Sequence, residues 1–341
     1  MRSLLLLLLA IAPAAGGQIP PIGVIDLYGV RTVPEDRVRA ALQVSVGDPF
    51  PLSKVEVERR LAMIPGVVRA RITGVCCDEG RSIMFVGIEE AGESLPRFRA
   101  APVGSVRLPD DIVQAGVALT AAARAAVLRG DASEDQSQGY SLLHDSVARA
   151  IQQRFIGFSA RDAALLRDVL RTSGDSAHRA LAAEVLAYGS DRAAIIRELG
   201  DAVLDPSSEV RNNAVRALAL LAIYAREHPE LRLTVPAAPF IDMLSSPVWT
   251  DRNKSSIALM QLTERRDSAL VAALRARALP ALVEMARWKS EGHAVPSLFI
   301  LGRIAGLGDE AIQAAAVRGD RQSIIDAAVK SRGGRGTPER S

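Results

Sequence analysis

Aromatic side chains make up 4% of this 341-residue chain, and cysteine occurs twice. So few rings leave little to line a small-molecule pocket, whereas the abundant Ala, Leu, Val and Arg suit close helix packing. Cys76 and Cys77 are adjacent, which excludes metal-ligand spacing. Neighbours on a strand point to opposite faces, so a bond between them needs a strained turn. One buried and one inert thiol is the expectation, with pairing to a partner chain the alternative. An excess of one charge is also missing: the net charge is +3 and Arg is interspersed with Asp and Glu, which gives no nucleic-acid footprint. His144, His178, His228 and His293 are far apart, and none has a second ligand at i+3 or i+4. There is no P-loop, Gly-x-Ser-x-Gly elbow or His-Glu-x-x-His motif. The acidic stretch 130–139 lacks the alternation of a calcium loop. Gly302, Gly306 and Gly308 follow a helix instead of a strand, so helix packing and C-capping explain them better than phosphate binding. No metal, cofactor or catalytic residue is expected.

Long apolar runs are confined to the start. Met1-Arg2-Ser3 is a short basic opening, Leu4 to Ala12 is apolar, and Pro13-Ala14-Ala15-Gly16-Gly17 supplies small residues. Residues 1–17 read as a secretory signal peptide. The run is too short to span a bilayer, and nothing later is expected to approach that length. The mature chain is therefore expected to be exported, with no transmembrane segment.

What the chain does have is a recurring register. Asp205-Pro206-Ser207-Ser208-Glu209-Val210-Arg211 reads as a turn entering a helix. Aligning Arg211 with Arg179 and Arg252 puts Ala214, Ala182 and Ser255 three residues on. Ala217, Val185 and Ala258 follow at six, and Leu218, Leu186 and Leu259 at seven. A fainter copy starts at Ala294, with Ser297, Ile300 and Leu301. The copies lie roughly 32 to 42 residues apart, the period of stacked helical hairpins. The pattern resembles HEAT/armadillo-like repeats, which implies an all-α right-handed solenoid over 110–330. Helices are expected from 110 onward, at 142–155, 160–170, 178–187, 192–203, 210–225, 238–244, 251–263, 268–289, 294–304, 311–317 and 321–330. Residues 331–341 read as a disordered tail.

Residues 22–90 have another grammar. Ile22 to Tyr28 is β-rich, Thr32/Glu35 and Ser53/Glu56 have capping-box spacing, Val68, Ala70 and Ile72 alternate with polar residues, and Ser82 to Glu89 follows a turn. The order is β-α-α-β-β. With Gly29-Val30-Arg31-Thr32, Val46-Gly47-Asp48-Pro49-Phe50 and Ile64-Pro65-Gly66-Val67-Val68, it resembles a POTRA domain. The resemblance implies an α+β module whose last strand is central and whose strand over 67–77 is an exposed edge. That edge would present Arg69, Arg71 and Thr73 to an incoming strand. It also favours the periplasm over the extracellular space. Residues 91–109, rich in Pro, Gly and Arg, read as a linker.

Candidate binding residues cluster on the helical part. Trp249-Thr250-Asp251-Arg252-Asn253-Lys254 suggests an aromatic anchor beside cations, with Thr250 as helix cap. The competing reading places Asp251 and Arg252 in an inter-repeat polar ladder. Asn212 and Asn213 are poor helix formers and need local compensation or a ligand; Arg216 lies one turn on. Trp288 and His293 extend the same surface. The expectation is a non-enzymatic protein- or peptide-binding scaffold of the cell envelope, using the solenoid's concave face and the edge strand. A lyase-type enzyme or enzyme subunit acting in the solenoid cleft is the alternative, and a purely structural envelope protein a third.

Overall fold

The computed structural model describes residues 20–331 apart from 79, 94 and 132. The expected signal peptide (1–17) and all but the first residue of the expected tail (331–341) lie outside the described residues, as does the side chain of Cys77. The described chain divides into two compact units: Pro96–Pro239, and residues 20–95 together with 240–331.

The N-terminal elements are β1 (Ile22–Tyr28), α1 (Glu35–Leu42), α2 (Lys54–Ala62), β2 (Val67–Asp78) and β3 (Arg81–Glu90). Strand order is β1-β3-β2, with β3 parallel to β1 and antiparallel to β2. Met84, Val86 and Ile88 of β3 join Ile25, Ala70 and Ile72 against Val38, Leu42, Val57 and Leu61 of the two helices. Ser53 caps α2 by accepting from Glu56 N (3.3 Å). The other expected capping box does not form. Thr32 lies outside α1, and its hydroxyl and N–H donate instead to Glu90 at the end of β3, as do Arg31 N (2.8 Å) and Val33 N (3.0 Å). Burial alone would raise the Glu90 pKa, but hydrogen bonds from Thr32, Arg31 and Val33 hold it below the usual range. Cys76 is disulfide-bonded, so it is not the inert thiol expected.

In Pro96–Pro239, residues 96–109 precede α3 (Asp110–Leu128). A two-stranded ribbon of β4 (Glu134–Asp135) and β5 (Leu142–Leu143) leads to α4 (Ser146–Arg161), α5 (Ala163–Thr172), α6 (Ser176–Leu186), α7 (Arg192–Ala202) and α8 (Ser208–Glu227). α5 and α6 form one hairpin and α7 and α8 the next, with α6 packed on α8. Asp145, Asp175 and Asp191 cap α4, α6 and α7, satisfying N–H groups that a helix start leaves open. The stretch read as a linker is bound to these helices. Arg99 N donates to Leu204 O (2.8 Å), Gly104 N to Thr172 O (2.9 Å) and Leu108 N to His178 Nδ1 (2.9 Å). α3 departs from expectation: it is long and apolar enough to cross a membrane by length and composition. Its buried positions Ile112, Ala115, Leu119, Ala123 and Ala126 recur at helical spacing, and it packs on α4.

The chain continues through α9 (Ala238–Met243), α10 (Trp249–Leu262), α11 (Ser268–Ala286), α12 (Glu291–Ile304), α13 (Asp309–Val317) and α14 (Arg321–Lys330). The register read from sequence acquires a physical cause here. In three hairpins the second helix carries an arginine that reaches back to a carbonyl in the turn. Arg179 Nη1 donates to Ser173 O (2.8 Å), Arg211 Nη1 to Asp205 O (2.8 Å) and Arg252 Nε to Ser246 O (2.6 Å). The side chains of Ser173, Asp205 and Ser246 each accept the N–H two residues on, closing the turn that offers the carbonyl. At the fourth copy position 294 is Ala, and the Trp288 carbonyl is satisfied by Arg321 from α14 instead (2.8 Å). The small and branched positions of the register are buried in all four copies.

The sheet packs its second face on these C-terminal helices. Tyr28 Oη donates to Pro247 O (2.9 Å), Asp26 accepts from Lys289 N (2.8 Å) and Ser290 N (3.1 Å), and Gly29 N donates to Glu284 (2.6 Å). Phe85 stacks on Trp249 with centroids 5.0 Å apart and is tilted against Trp288 at 5.1 Å. β3 is consequently buried on both sides. At Gly87 a β-carbon would lie 2.0 Å from Pro247 O and 2.6 Å from the Tyr28 ring, so only glycine allows this approach.

Two stability predictions follow from these contacts. Gly87→Ala is expected to lower unfolding free energy by about 1–3 kcal/mol through overpacking; an unchanged urea midpoint sinks this account. Asp205 is fully buried and holds Arg179 (3.0 and 2.9 Å), Arg99 (2.6 Å) and Ser207 N (2.9 Å). Burial would raise its pKa, but the bonds from Arg179, Arg99 and Ser207 lower it below the usual value. Asp205→Ala should cost about 3–5 kcal/mol at pH 7, because a buried guanidinium is stranded. A depressed folded-state pKa gives stability that is present above the unfolded value of 3.8 and is lost as pH falls through the folded one. The gap between wild type and variant in urea titrations should therefore shrink on acidification through that range.

Candidate functional site

The hairpins of Pro96–Pro239 enclose an open cleft of about 70 Å³. Tyr140 and Ser141 enter it from the chain between β4 and β5, Gln152 from α4, Glu184 from α6, Tyr188 from the turn that follows α6, and Asn213 and Arg216 from α8. Asn213 and Arg216 are three apart on α8 and share a helix face, while Glu184 lies in the last turn of α6 and Tyr188 in the turn just after it.

Most of the lining is fixed by its own bonds. Gln152 accepts from Leu143 N (2.7 Å) and donates to Ser141 O (3.1 Å) and Tyr188 Oη (3.0 Å). Tyr188 Oη donates to Ser141 O (3.0 Å), and burial raises its pKa. Arg216 is paired with Glu134 at 2.5 Å. The Tyr140 ring lies 5.0 Å from that of Tyr188 and 5.1 Å from the Arg192 guanidinium. That guanidinium also faces Tyr224 at 5.6 Å and donates to Gln138 O (2.6 Å). Asn213 Nδ2 donates to Ala180 O (2.9 Å), a bond to the neighbouring helix that offsets its poor helix propensity. Asn212 is half-buried and donates to Asn213 Oδ1 (3.1 Å).

Glu184 is the exception. It has no hydrogen-bond or ion-pair partner among the described residues. Burial raises its pKa, opposed by the charge of Arg216. A carboxyl group in such a place can donate a proton when protonated, and accept a proton or a cation when ionised.

Of the residues expected to bind, Asn212 and Arg216 thus lie at or beside this cleft. The others do not. Trp249, Asp251, Arg252, Lys254, Trp288 and His293 are all buried in the other unit, so they form no open recognition surface. The aromatic anchor is used internally: Trp249 and Trp288 pack on Phe85. Asp251 accepts from Ser246 Oγ (2.7 Å), and Arg252 pairs with Glu284 (2.6 Å) beneath the Tyr28 ring (4.6 Å). His293 bonds Ser290 Oγ (2.6 Å), and burial aided by Lys254 lowers its pKa to about 4. Thr250 is not the cap, since α10 starts one residue earlier after Val248.

Arg69, Arg71 and Thr73 do lie on an edge, because β2 is the outer strand. Its middle is covered, however: Glu58 of α2 accepts from Ile72 N (2.8 Å) and pairs with Arg71 (3.3 Å), while Arg69 pairs with Glu89 (3.4 Å).

Tyr140, Gln152, Glu184 and Tyr188 escaped the sequence reading. One signal was present: three of only four tyrosines, at 140, 188 and 224, fall in this unit. Another was Glu184 itself, a charge inside the apolar Leu181-Ala182-Ala183-Glu184-Val185-Leu186 run.

The raised pKa of Glu184 has a stability consequence. A raised folded-state pKa gives stability that is full below the unfolded value and is lost as pH rises through the folded one. Glu184→Gln should therefore melt above wild type at pH 7.5, with the difference closing toward pH 4. A variant that melts lower at pH 7.5 contradicts the lack of a partner.

No protein-family model matches this chain, and no curated protein does. Among solved structures it is similar to "Designed armadillo repeat protein YIII(Dq)4CqI", at 17% identity with a TM-score of 0.36, over 57% of this chain and 97% of that one.

Proposed function

We propose that the chain is an exported, non-enzymatic protein-binding scaffold of the cell envelope, periplasmic in residence. Its helical part is read as a right-handed HEAT-like solenoid and its N-terminal module as POTRA-like. The observation that carries this reading is the open cleft on the hairpins of Pro96–Pro239. Its walls are braced by Gln152, Tyr188, Arg192 and Arg216, so a partner would meet a preformed surface and little ordering entropy is lost on binding. The N-terminal run Leu4–Ala12 supports export. The β2 edge offers a second mode, by strand addition, once Glu58 is displaced from Ile72 N.

A lyase-type activity is the second reading, and one observation favours it: Glu184 is a carboxyl group of raised pKa in an open cleft, and a raised pKa favours the protonated form that a general acid needs. A retained metabolite or altered absorbance in the purified protein would support this alternative.

The test places photo-cross-linking residues at Asn212 and at Thr73 in intact cells. The expected result is a discrete envelope protein joined through Asn212, recovered from the processed chain outside the cytoplasm. Arg71→Pro should remove any adduct formed through Thr73 and leave that through Asn212. No adduct at either position, or an unprocessed cytoplasmic chain, overturns the scaffold reading.

A further inference from the structure

We infer that the cleft of Pro96–Pro239 receives a single alkylammonium group, with Glu184 as its counter-ion. This rests on the cleft-binding reading above and adds the chemistry of what enters.

The charged groups around the cleft differ in whether each has a bonded partner. Arg216 is neutralised by Glu134, whose other oxygen accepts from Gln136 Nε2 (3.1 Å). Arg192 is held against the Tyr140 and Tyr224 rings and donates to the carbonyls of Ala187 (3.1 Å), Gly189 (2.7 Å) and Gln138 (2.6 Å). Both guanidinium groups are thereby committed. Glu184 alone has no hydrogen-bond or ion-pair partner among the described residues, and Arg216, whose charge opposes it, is bonded to Glu134. Glu184 is half-buried, and a carboxylate partly withdrawn from water is stabilised by a proton or by a cation.

The remaining surface selects the sign and the size of the missing group. Tyr140 and Tyr188 line the cleft with aromatic rings, and the electron-rich face of such a ring attracts cations. An anion would meet Glu184 and these rings together, and a neutral apolar group would leave the carboxylate unpaired. A cavity of about 70 Å³ takes several waters, since each needs roughly 10–15 Å³. It thus suits the end of one short chain more than a folded segment. A free amine and the tip of a lysine side chain share this chemistry.

The experiment is isothermal titration of the full mature chain with n-butylammonium, with Nα-acetyl-lysine methylamide, and with n-butanol as the neutral isostere. The inference expects heat from at least one ammonium and none from n-butanol. Binding of the lysine derivative without n-butylammonium assigns the source to a polypeptide, and the reverse assigns a free amine. Glu184→Gln should weaken binding at least about tenfold, and Glu184→Asp should restore part of it. Circular dichroism confirms that both variants fold, and weakening of wild-type binding by added salt tests the charge without any substitution. Equal binding of n-butanol, retained binding in Glu184→Gln, or no heat from either ammonium overturns the inference. The scaffold reading is separable from it. An Asn212 adduct without ammonium binding sinks only the ammonium assignment, and ammonium binding without an adduct sinks only the scaffold.

Discussion

A helix that starts after a tight turn leaves a carbonyl stranded in that turn, and in this chain an arginine reclaims it. Ser173, Asp205 and Ser246 offer the carbonyl, and Arg179, Arg211 and Arg252 donate to it six residues later. The hydrogen bond would be modest in water, but the three guanidinium groups are nearly fully buried, where an unmade bond is expensive. Each arginine then needs a further partner. Arg179 takes Asp205 from the next turn along the chain, Arg252 takes Glu284, and Arg211 lies over Phe98 at 3.9 Å. The hairpin period is thus enforced by a polar spine as well as by small residues at the crossings. Where the arginine is absent, at Ala294, a donor from α14 takes over, so the demand belongs to the turn and not to one residue.

The same constraint explains why the polar stretch at the start of α10 does not recognise a ligand. Arg252 must be buried to reach Ser246 O, and Glu284 must follow to balance it. Glu284 then has one oxygen left, which accepts from Gly29 N. Asp26 lies at the start of α12, taking two N–H groups just before the helix, where a negative charge is favoured. The sheet is held on these helices by groups that already had structural work, and Phe85 fills the space between Trp249 and Trp288. What a sequence reading takes for a recognition patch is occupied by another part of the same chain.

That occupation marks the limit of what the sequence could reveal. Element positions were legible because each depends on neighbours within a few residues: alternation in β2, helical stripes from α3 onward, and the turn-plus-arginine register. Capping was legible only where the partner was local. Ser53 caps α2, whereas Thr32 is claimed by Glu90, more than fifty residues away. The burial of Trp249 through Lys254 is set by strands over 160 residues earlier, and no local pattern encodes it. One trace was available. Ile83-Met84-Phe85-Val86 runs apolar without alternation, which signals a strand covered on both faces. The cleft was hidden for the same reason, since α4, α6, α8 and the β4–β5 segment contribute to it together.

Within the cleft, the contrast between residues is more informative than any one of them. Gln152, Tyr188, Asn213, Arg192 and Arg216 all have partners on other elements, so each has a structural reason to be present. Glu184 has none. A glutamine at that position would keep the length of the side chain without an unpartnered charge. Natural chains are locally consistent with their folds except where function intervenes, and a group that raises the free energy of the empty protein is a candidate for a role in the occupied one. Protonation relieves Glu184 in the absence of a ligand and a cation relieves it in the presence of one. The two states exchange a proton for a bound cation, so pH and ligand act on the same carboxyl group.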